Sequence, residues 1–463
     1  MDVPQPPPAH RGPPPRLTDR KSGRASPFRV VVAGFAVAIL VGAVLLTLPI
    51  AKAGEFGRAS VLEALFTSTS AVCLTGLIVV DTPTFWSPFG ELVILGLVQI
   101  GGFGIMTFAS FLGLLVTRRL ALRTRLSTQA ETRSLDLGDV RSIVLAVAGI
   151  TLVIEAATAV LLALRFATGY GEPLGDALYL GVFHSVSAFN NAGFALFSTN
   201  LEAFVTDAWI CLPIAAATIA GGLGFPVLLQ LRRELRRTYR WSLQTRITLL
   251  VSPLLLAAGL VAVLAIEWAN PATLGRLDVP GKLLAAFFQS MTPRTAGFNT
   301  LDYGEMHSAT LLATDILMFI GGGSAGTAGG IKVTTFALLA FVILAEIRGE
   351  PPVHALGRRV PEGAQRQALS VALLGVAAVV LATFALLALT RYDLDAVLFE
   401  VVSAFGTVGL STGITADLPA VAQAILIALM FAGRLGPVTL ASALALRERA
   451  IRYRLPEERP IVG

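Results

Sequence analysis

The chain has 463 residues, 54% of them hydrophobic and 14% charged, with a mean hydropathy of +0.73. Soluble globular proteins carry about 25% charged residues, so this composition excludes an ordinary cytosolic enzyme and a disordered chain. Two cysteines, Cys73 and Cys211, both in apolar surroundings, exclude a disulfide scaffold.

In chain order, residues 1–27 form a proline-rich tail (PQPPPAHRGPPPR) expected to be extended or disordered. No small-residue cleavage site follows it, so the first apolar run, 28–50, reads as a retained membrane span. Further runs at 90–116, 142–167, 247–267, 308–320 and 367–390 are candidate spans. The formal net charge is +6 and the pI about 9.7, which raises the question of a nucleic-acid partner. The placement of the charges answers it. Basic residues cluster at Arg11, Arg16, Arg20, Lys21 and Arg24; at Arg118, Arg119, Arg123, Arg125 and Arg133; at Arg232, Arg233, Arg236, Arg237 and Arg240; at Arg348, Arg358, Arg359 and Arg366; and at Arg447, Arg449, Arg452 and Arg454. The segments between carry few basic residues but several acids: Asp81, Glu91, Glu172, Asp176, Glu202, Asp207, Asp302 and Glu305. This alternation is the positive-inside pattern. It argues for a multi-pass protein of the cell (inner) membrane with both termini cytoplasmic, and against nucleic acid.

An internal repeat organises the chain. FTSTSAVCLTGL (66–77), FHSVSAFNNAGF (183–194), FFQSMTPRTAGF (287–298) and FEVVSAFGTVGL (399–410) align on Gly76, Gly193, Gly297 and Gly409, spaced by 117, 104 and 112 residues. A phenylalanine stands ten residues before each glycine: Phe66, Phe183, Phe287 and Phe399. Three copies carry Ser-Ala upstream, and the third has Met291-Thr292. A second element recurs 24 to 28 residues later, at Gly101-Gly102-Phe103-Gly104, Gly221-Gly222-Leu223-Gly224, Gly321-Gly322-Gly323-Ser324 and Gly433-Arg434-Leu435-Gly436. Each unit therefore reads as a span, a short apolar piece, a glycine-bearing loop and a second span interrupted by glycines. The units fall at 28–116, 142–235, 244–347 and 366–446, followed by a cytoplasmic tail at 447–463. The short piece has about half the ~20 residues that a spanning helix needs, so it is expected to enter and leave on one side. Irregular backbone at membrane depth is tolerated where it is buried in protein or lines a water-filled cavity. The expected fold is an all-α membrane protein, with four span–re-entrant loop–span repeats arranged pseudo-fourfold around one central pore.

The loops limit the chemistry. AVCLTG, AFNNAG, TPRTAG and AFGTVG hold no carboxylate and no metal-ligating cluster. What they share is backbone that glycine can turn inward, so that carbonyls replace the hydration shell of a monovalent cation, as in the TVGYG loop of potassium channels. The candidate filter residues are Leu74, Thr75 and Gly76; Asn191, Ala192 and Gly193; Thr295, Ala296 and Gly297; and Thr407, Val408 and Gly409. The plainer reading makes these glycines helix-packing sites, but four copies in register favour a filter.

With these residues the chain resembles the Trk/Ktr/HKT superfamily of potassium uptake proteins over 28–446. The strings SMTPRTAGFNT, GGGSAGTAGGIK and AGRLGPVTL carry the likeness. With eight countable spans it is most similar to the Ktr-type translocating subunit. The resemblance implies that Gly76, Gly193, Gly297 and Gly409 make a potassium filter. Gly76, where sodium-tolerant plant members have serine, suggests potassium. It also implies a homodimer working with a cytosolic ring of nucleotide-binding (RCK-type) subunits, and no cofactor held by this chain; sodium stays open as an activator.

Two features resemble the family's gate. The segment IGGGSAGTAGGIK (320–332) is too glycine-rich to hold a helix, at about 1 kcal/mol per glycine relative to alanine. It is similar to the intramembrane loop that obstructs the pore, with Gly321, Gly322, Gly323, Ser324, Gly326, Gly329, Gly330 and Lys332 as its candidate residues; a merely flexible helix break is the alternative. Arg434 replaces a glycine that the other units keep. A lone arginine in a span is costly and by default functional, as a barrier to a passing cation or as a structural partner of a carbonyl or acid. Arg294 is expected to brace the filter from behind by donating to carbonyls. His184 and Gln289 read as packing or dipole partners, and Glu155, Glu267 and Asp315 as interior pairs or ion-attracting acids. The basic loops 117–141 and 232–246 face either the regulatory partner or anionic lipid. No voltage-sensing arginine ladder, nucleotide-binding motif or catalytic constellation is present in the sequence, so an enzyme is not expected. A secondary transporter with broken helices and alternating access is the competing reading.

Overall fold

The computed structural model describes residues 27–54, 57–125, 137–350 and 352–436. The expected tails at 1–26 and 447–463, residues 126–136 of the first basic loop and residues 437–446 of the fourth unit lie outside the described residues.

Four successions of helices follow the four units. The first comprises α1 (Pro27–Leu46), α2 (Val61–Cys73), α3 (Thr82–Phe85) and α4 (Pro88–Arg125). The second comprises α5 (Leu137–Gly169), α6 (Leu174–Phe189), α7 (Ala208–Leu223) and α8 (Phe225–Glu234). The third comprises α9 (Leu243–Glu267), α10 (Val279–Met291), α11 (Ser308–Ile320) and α12 (Val333–Arg348), and the fourth α13 (Glu362–Leu389), α14 (Leu394–Gly406) and α15 (Ala420–Leu435).

The opening helix of each unit is long and lipid-compatible. Arg29–Leu46, Val144–Gly169, Leu243–Glu267 and Glu362–Leu389 are long and apolar enough to cross a membrane. Each keeps large apolar side chains exposed, such as Val44, Val153, Leu254 and Phe384. Water would penalise that surface at about 25 cal/mol per Å², whereas a bilayer does not. The second helix of each unit is short and lies inside. Phe66, Phe183, Phe288 and Phe399 are almost fully buried. Local signals start these short helices: Ser60 and Glu63 form a reciprocal cap on α2, and the Asp278 carboxylate caps α10.

Glycine breaks set the third element of each unit. α7 and α8 bend by 97° at Gly224, which has a φ of +93°. Gly321 (φ +51°) ends α11, and Gly436 (φ +80°) ends α15. Among the residues described with their side chains, four helices are long and apolar enough to span, or five counting the bent pair, where the sequence suggests eight spans. The first unit corrects the expectation of an interruption in every copy. α4 is one continuous helix through Gly101–Gly104, and no glycine there takes a positive φ.

The all-α expectation also needs a small correction. His354–Ala355 and Arg358–Arg359 pair as an antiparallel ribbon between the third and fourth units. Leu356 (φ +47°) and Gly357 (φ +79°) make its two-residue turn, the positive-φ geometry that matches strand twist.

Candidate ion-conduction site

Each short inner helix ends in a loop with the same backbone signature. Positive φ occurs at Leu74 and Gly76, at Asn191 and Gly193, at Thr295 and Gly297, and at Thr407 and Gly409. In an extended strand successive carbonyls point to opposite sides. Alternating the sign of φ turns them to the same side. The left-handed region costs an L-residue about 1–2 kcal/mol, so glycine is the residue that holds it without strain. The remaining positions are tied to the helix end. Thr75, Ala192 and Val408 donate their N–H groups to the carbonyls of Ser70, Ser187 and Ser403 at 2.8 to 2.9 Å, and Ala296 donates to Thr292 at 2.9 Å.

The four loops meet. A Cβ built on Gly76 overlaps the Ala192 carbonyl oxygen and lies 3.1 Å from the Gly193 Cα. One on Gly193 lies 2.7 Å from the Gly297 Cα, and one on Gly297 lies 2.5 Å from the Val408 oxygen. One on Gly409 overlaps the Thr75 oxygen and lies 3.0 Å from the Gly76 Cα. Contact thus runs from Gly76 through Gly193, Gly297 and Gly409 back to Gly76. No side chain fits at any of the four, and Thr75, Ala192, Ala296 and Val408 of the sequence-selected residues meet the glycines there.

Hydroxyls and braces behind the loops complete the repeat. The Gly76 and Gly409 N–H groups donate to Ser70 Oγ and Ser403 Oγ at 3.0 and 3.1 Å. Ser187 Oγ and Thr292 Oγ1 donate instead to the carbonyls of Phe194 and Phe298. His184 Nε2 accepts from Leu196 N–H at 3.2 Å, Glu400 Oε1 from Thr412 N–H at 3.0 Å, and the Gln289 amide oxygen from Leu301 N–H at 2.8 Å. One side chain per unit thus pins the chain beyond the glycine in three of the four. His184 and Gln289 are therefore loop braces. The third unit is shifted by one residue. Phe288 and Thr292 occupy the places of Phe66 and Ser70, so structural equivalence corrects the alignment through Phe287 and Met291. The serine at the sixth position before the glycine was the signal in the sequence for these supports.

On one side of the ring lies a cavity of about 630 Å³, bordered by Gly76, Gly193, Gly409, Asp81, Glu202 and Asp302 among others. Glu202 accepts from Asn299 Nδ2 at 3.0 Å. Burial, and then the neighbouring charge of Asp302, push its carboxyl above the usual value.

On the other side the second glycine elements let helices approach the loops. A Cβ on Gly101 would overlap the Val72 carbonyl, one on Gly221 that of Phe189, and one on Gly433 that of Phe405. Each of these carbonyls stands four residues before a ring glycine, at the end of a short helix. The segment 321–332 lies among the same elements. Gly323 N–H donates to the Gly222 carbonyl at 2.8 Å, and Val333 N–H to that of Gly322 at 2.9 Å. Ser324 Oγ lies 2.7 Å from Thr334 Oγ1. A Cβ on Gly326 would approach Gly221 and Gly224, and one on Gly329 would overlap Thr407 Oγ1 directly below the fourth loop. Gly330, at φ +62°, lies beside Gly406. Lys332 Nζ donates to the carbonyls of Ala328 and Gly329, and Arg434 Nη1 to that of Thr327. Three consecutive carbonyls are thus held by two cations. Arg434 is buried, and its Nε and Nη2 have no partner among the described residues.

Arg294 donates to carbonyls, as the sequence led one to expect, and these lie behind the third loop on α9 and at the end of α11. It donates to the Ser252 carbonyl and hydroxyl at 2.9 Å each and to the Gly321 carbonyl at 3.4 Å. It therefore ties the third loop to α9 and to the start of the glycine segment. Glu267 is satisfied by His307 N–H, Thr310, Thr273 and Asn270, and Asp315 Oδ1 has no partner among the described residues.

The profile of the TrkH family, described as a cation transport protein, matches residues 23–450. The chain belongs to this family. Membership bears out a membrane transporter rather than an enzyme. The chain is 40% identical to the Ktr system potassium uptake protein B of Bacillus subtilis, over 93% of this chain and 96% of that one. It is 38% identical to the protein of the same name from Vibrio alginolyticus, over 94% of each. It is 35% identical to the potassium/sodium uptake protein NtpJ of Enterococcus hirae, over 96% of this chain and 99% of that one. Among solved structures, the potassium transporter TrkH of Vibrio parahaemolyticus superposes with a TM-score of 0.71 at 21% identity, covering 92% of this chain and 86% of that one. That likeness concerns the fold.

Proposed function

We propose that the chain is the ion-translocating subunit of a potassium uptake system of the cell membrane. Its four units stand pseudo-fourfold around a single pore. The observation that carries this reading is the closed circuit of contact through Gly76, Gly193, Gly297 and Gly409. Neutral carbonyls turned to one side strip a monovalent cation of water at little cost, whereas they bind too weakly to dehydrate a divalent one. Asp81, Glu202 and Asp302 at the mouth raise the local cation concentration. The segment 321–332 crosses below the ring as the obstruction, latched by Lys332 and Arg434. Opening requires it to move, which releases three carbonyls and takes the Arg434 charge off the path. Relatives named for a Ktr system support a separate cytosolic partner, read here as a nucleotide-binding ring of RCK type, and assembly as a homodimer. Both termini are cytoplasmic on the positive-inside pattern. The Enterococcus relative's name keeps sodium in view as a second ion or an activator.

Growth of a potassium-uptake-deficient bacterium on limiting potassium, with and without this chain, tests the function. Rescue is expected, and its absence despite membrane insertion of the protein would overturn it. Alternating access by broken helices has one observation in its favour, the 97° bend at Gly224. A carrier would show accelerated exchange when potassium is present on both sides of a liposome membrane. A pore is expected to show none.

A further inference from the structure

Glu155 is a carboxylate on α5 with no cationic partner among the described residues, and conduction as described above makes no use of it. It is buried, at 6% exposure. Its Oε1 accepts from Asn190 Nδ2 at 3.0 Å, and its Oε2 from Gln99 Nε2 at 3.3 Å. Asn190 Nδ2 also lies 2.9 Å from Gln99 Oε1 and 2.9 Å from the Val186 carbonyl, its two hydrogens shared among these acceptors, so the three side chains form a triangle between α4, α5 and the end of α6. The next residue, Asn191, belongs to the second filter loop. Its Oδ1 accepts the hydroxyl of Thr327 at 2.9 Å. Thr327 sits in the glycine segment, donates its N–H to the Gly221 carbonyl at 3.3 Å, and offers its own carbonyl to Arg434.

The polarity of this chain is uniform. Arg434 donates to Thr327, Thr327 donates to Asn191, and Asn190 donates to Glu155. A buried guanidinium thus stands at one end and a buried carboxyl group at the other, with neutral dipoles between them. Direct pairing is absent, yet each group sees the favourable end of a dipole. The covalent step from Asn190 to Asn191 joins the two hydrogen-bonded parts. Asn191 has a φ of +55°, so its side-chain direction depends on how firmly Asn190 is held.

We infer that Glu155 is a positioning residue for ion passage: through Asn190 and Asn191 it fixes the Thr327 hydroxyl and so holds the glycine segment in its obstructing place. The inference rests on the reading of segment 321–332 as the obstruction. Neutralising Glu155 as glutamine keeps the shape but turns one acceptor into a donor that faces the Asn190 or Gln99 amide. One link of the triangle is lost, and the balance moves toward the open segment.

The test uses the full-length protein in liposomes, with maximal potassium flux per folded subunit and half-saturating potassium both measured. Glu155→Gln and Thr327→Val are each expected to raise maximal flux about tenfold, which corresponds to about 1.4 kcal/mol, with half-saturation unchanged. The double variant is expected to gain no more than either single one, because both act on one linkage. Thr327→Ser restores the hydroxyl and is expected to bring back most of the block. Gln99→Met, which opens the same triangle from α4, takes the place of Glu155→Gln if that variant does not assemble. Gains that multiply in the double variant, or a change in half-saturation with no change in maximal flux, would overturn the linkage. Deletion of Gly323–Gly329, run in parallel, separates the two levels. Raised flux in the deletion with independent point variants leaves the obstruction standing and removes the role of Glu155. Unraised flux in a stably inserted deletion removes the obstruction itself, and the linkage with it.

Discussion

Gly409 and Gly413 offer a matched pair four residues apart. Their φ values are +95° and +93°, so alanine brings the same backbone strain at each, about 1–2 kcal/mol. Their surroundings differ. A Cβ on Gly413 meets nothing within 4 Å, whereas one on Gly409 overlaps the Thr75 carbonyl oxygen and lies 3.0 Å from the Gly76 Cα. Both of those atoms belong to backbone, and backbone cannot swing aside as a flexible side chain does. Overpacking of this kind costs roughly 1–3 kcal/mol. Expressed wholly as lost discrimination between ions, that is about a 5- to 150-fold fall in the potassium-to-sodium flux ratio. Gly409→Ala is therefore expected to lose at least about fivefold in that ratio, because on the proposed reading the displaced Thr75 oxygen faces the ion. Gly413→Ala should stay within about twofold of wild type while losing the same stability through strain. Tracer uptake of the two ions into liposomes, with thermal unfolding in detergent as the control, reads both effects. Equal loss of selectivity in the two variants, or no loss in a folded Gly409→Ala subunit, would refute the assignment of Gly409 to the ion path.

Gly76→Ser, which places a side chain against the Ala192 oxygen at φ +90°, should weaken selectivity in the same assay with the protein still inserted. Arg434→Ala should raise flux. At an effective dielectric of about 20, a charge ~6 Å from the path costs a cation roughly 3 kcal/mol, which sets a ceiling near a hundredfold, lowered by the glycine segment that remains. Arg434→Lys, keeping the charge, should stay near wild type, and unchanged flux in a well-assembled alanine variant would take Arg434 out of the path. Outside the membrane, burial alone would raise the Asp207 carboxyl, but Arg165 at 2.8 Å, Tyr170 at 2.9 Å and the Trp209 N–H hold it below its usual value. The stability it contributes is present above the ordinary aspartate value of about 3.9 and is lost as pH falls below it. Asp207→Asn should remove that part of the acid dependence of the melting temperature.

The sequence by itself determined what repeats. Period and composition are local properties, so four glycines in register, four short apolar pieces and four long ones could be counted without coordinates. Capping residues such as Ser60 and Asp278 likewise act within one turn. The glycine excess at 321–330 announced a broken helix for the same reason, since backbone entropy is paid residue by residue. Tertiary structure decided what depends on neighbours from distant parts of the chain. Gly104 and Gly224 occupy the same place in the alignment, yet one sits inside the continuous helix α4 and the other breaks its helix by 97°. The one-residue shift of Phe288, Gln289 and Thr292 was invisible because Phe287 also fits the pattern, and only burial shows which ring fills the core. That Arg294 would donate to carbonyls was legible, but that these are the carbonyls of Ser252 and Gly321 was decided by packing, because a long side chain goes to whichever carbonyl is left open. Thr327 gave no signal at all. Its importance comes from Asn191, 136 residues earlier, and Arg434, 107 residues later, and no local rule brings three such positions to one point.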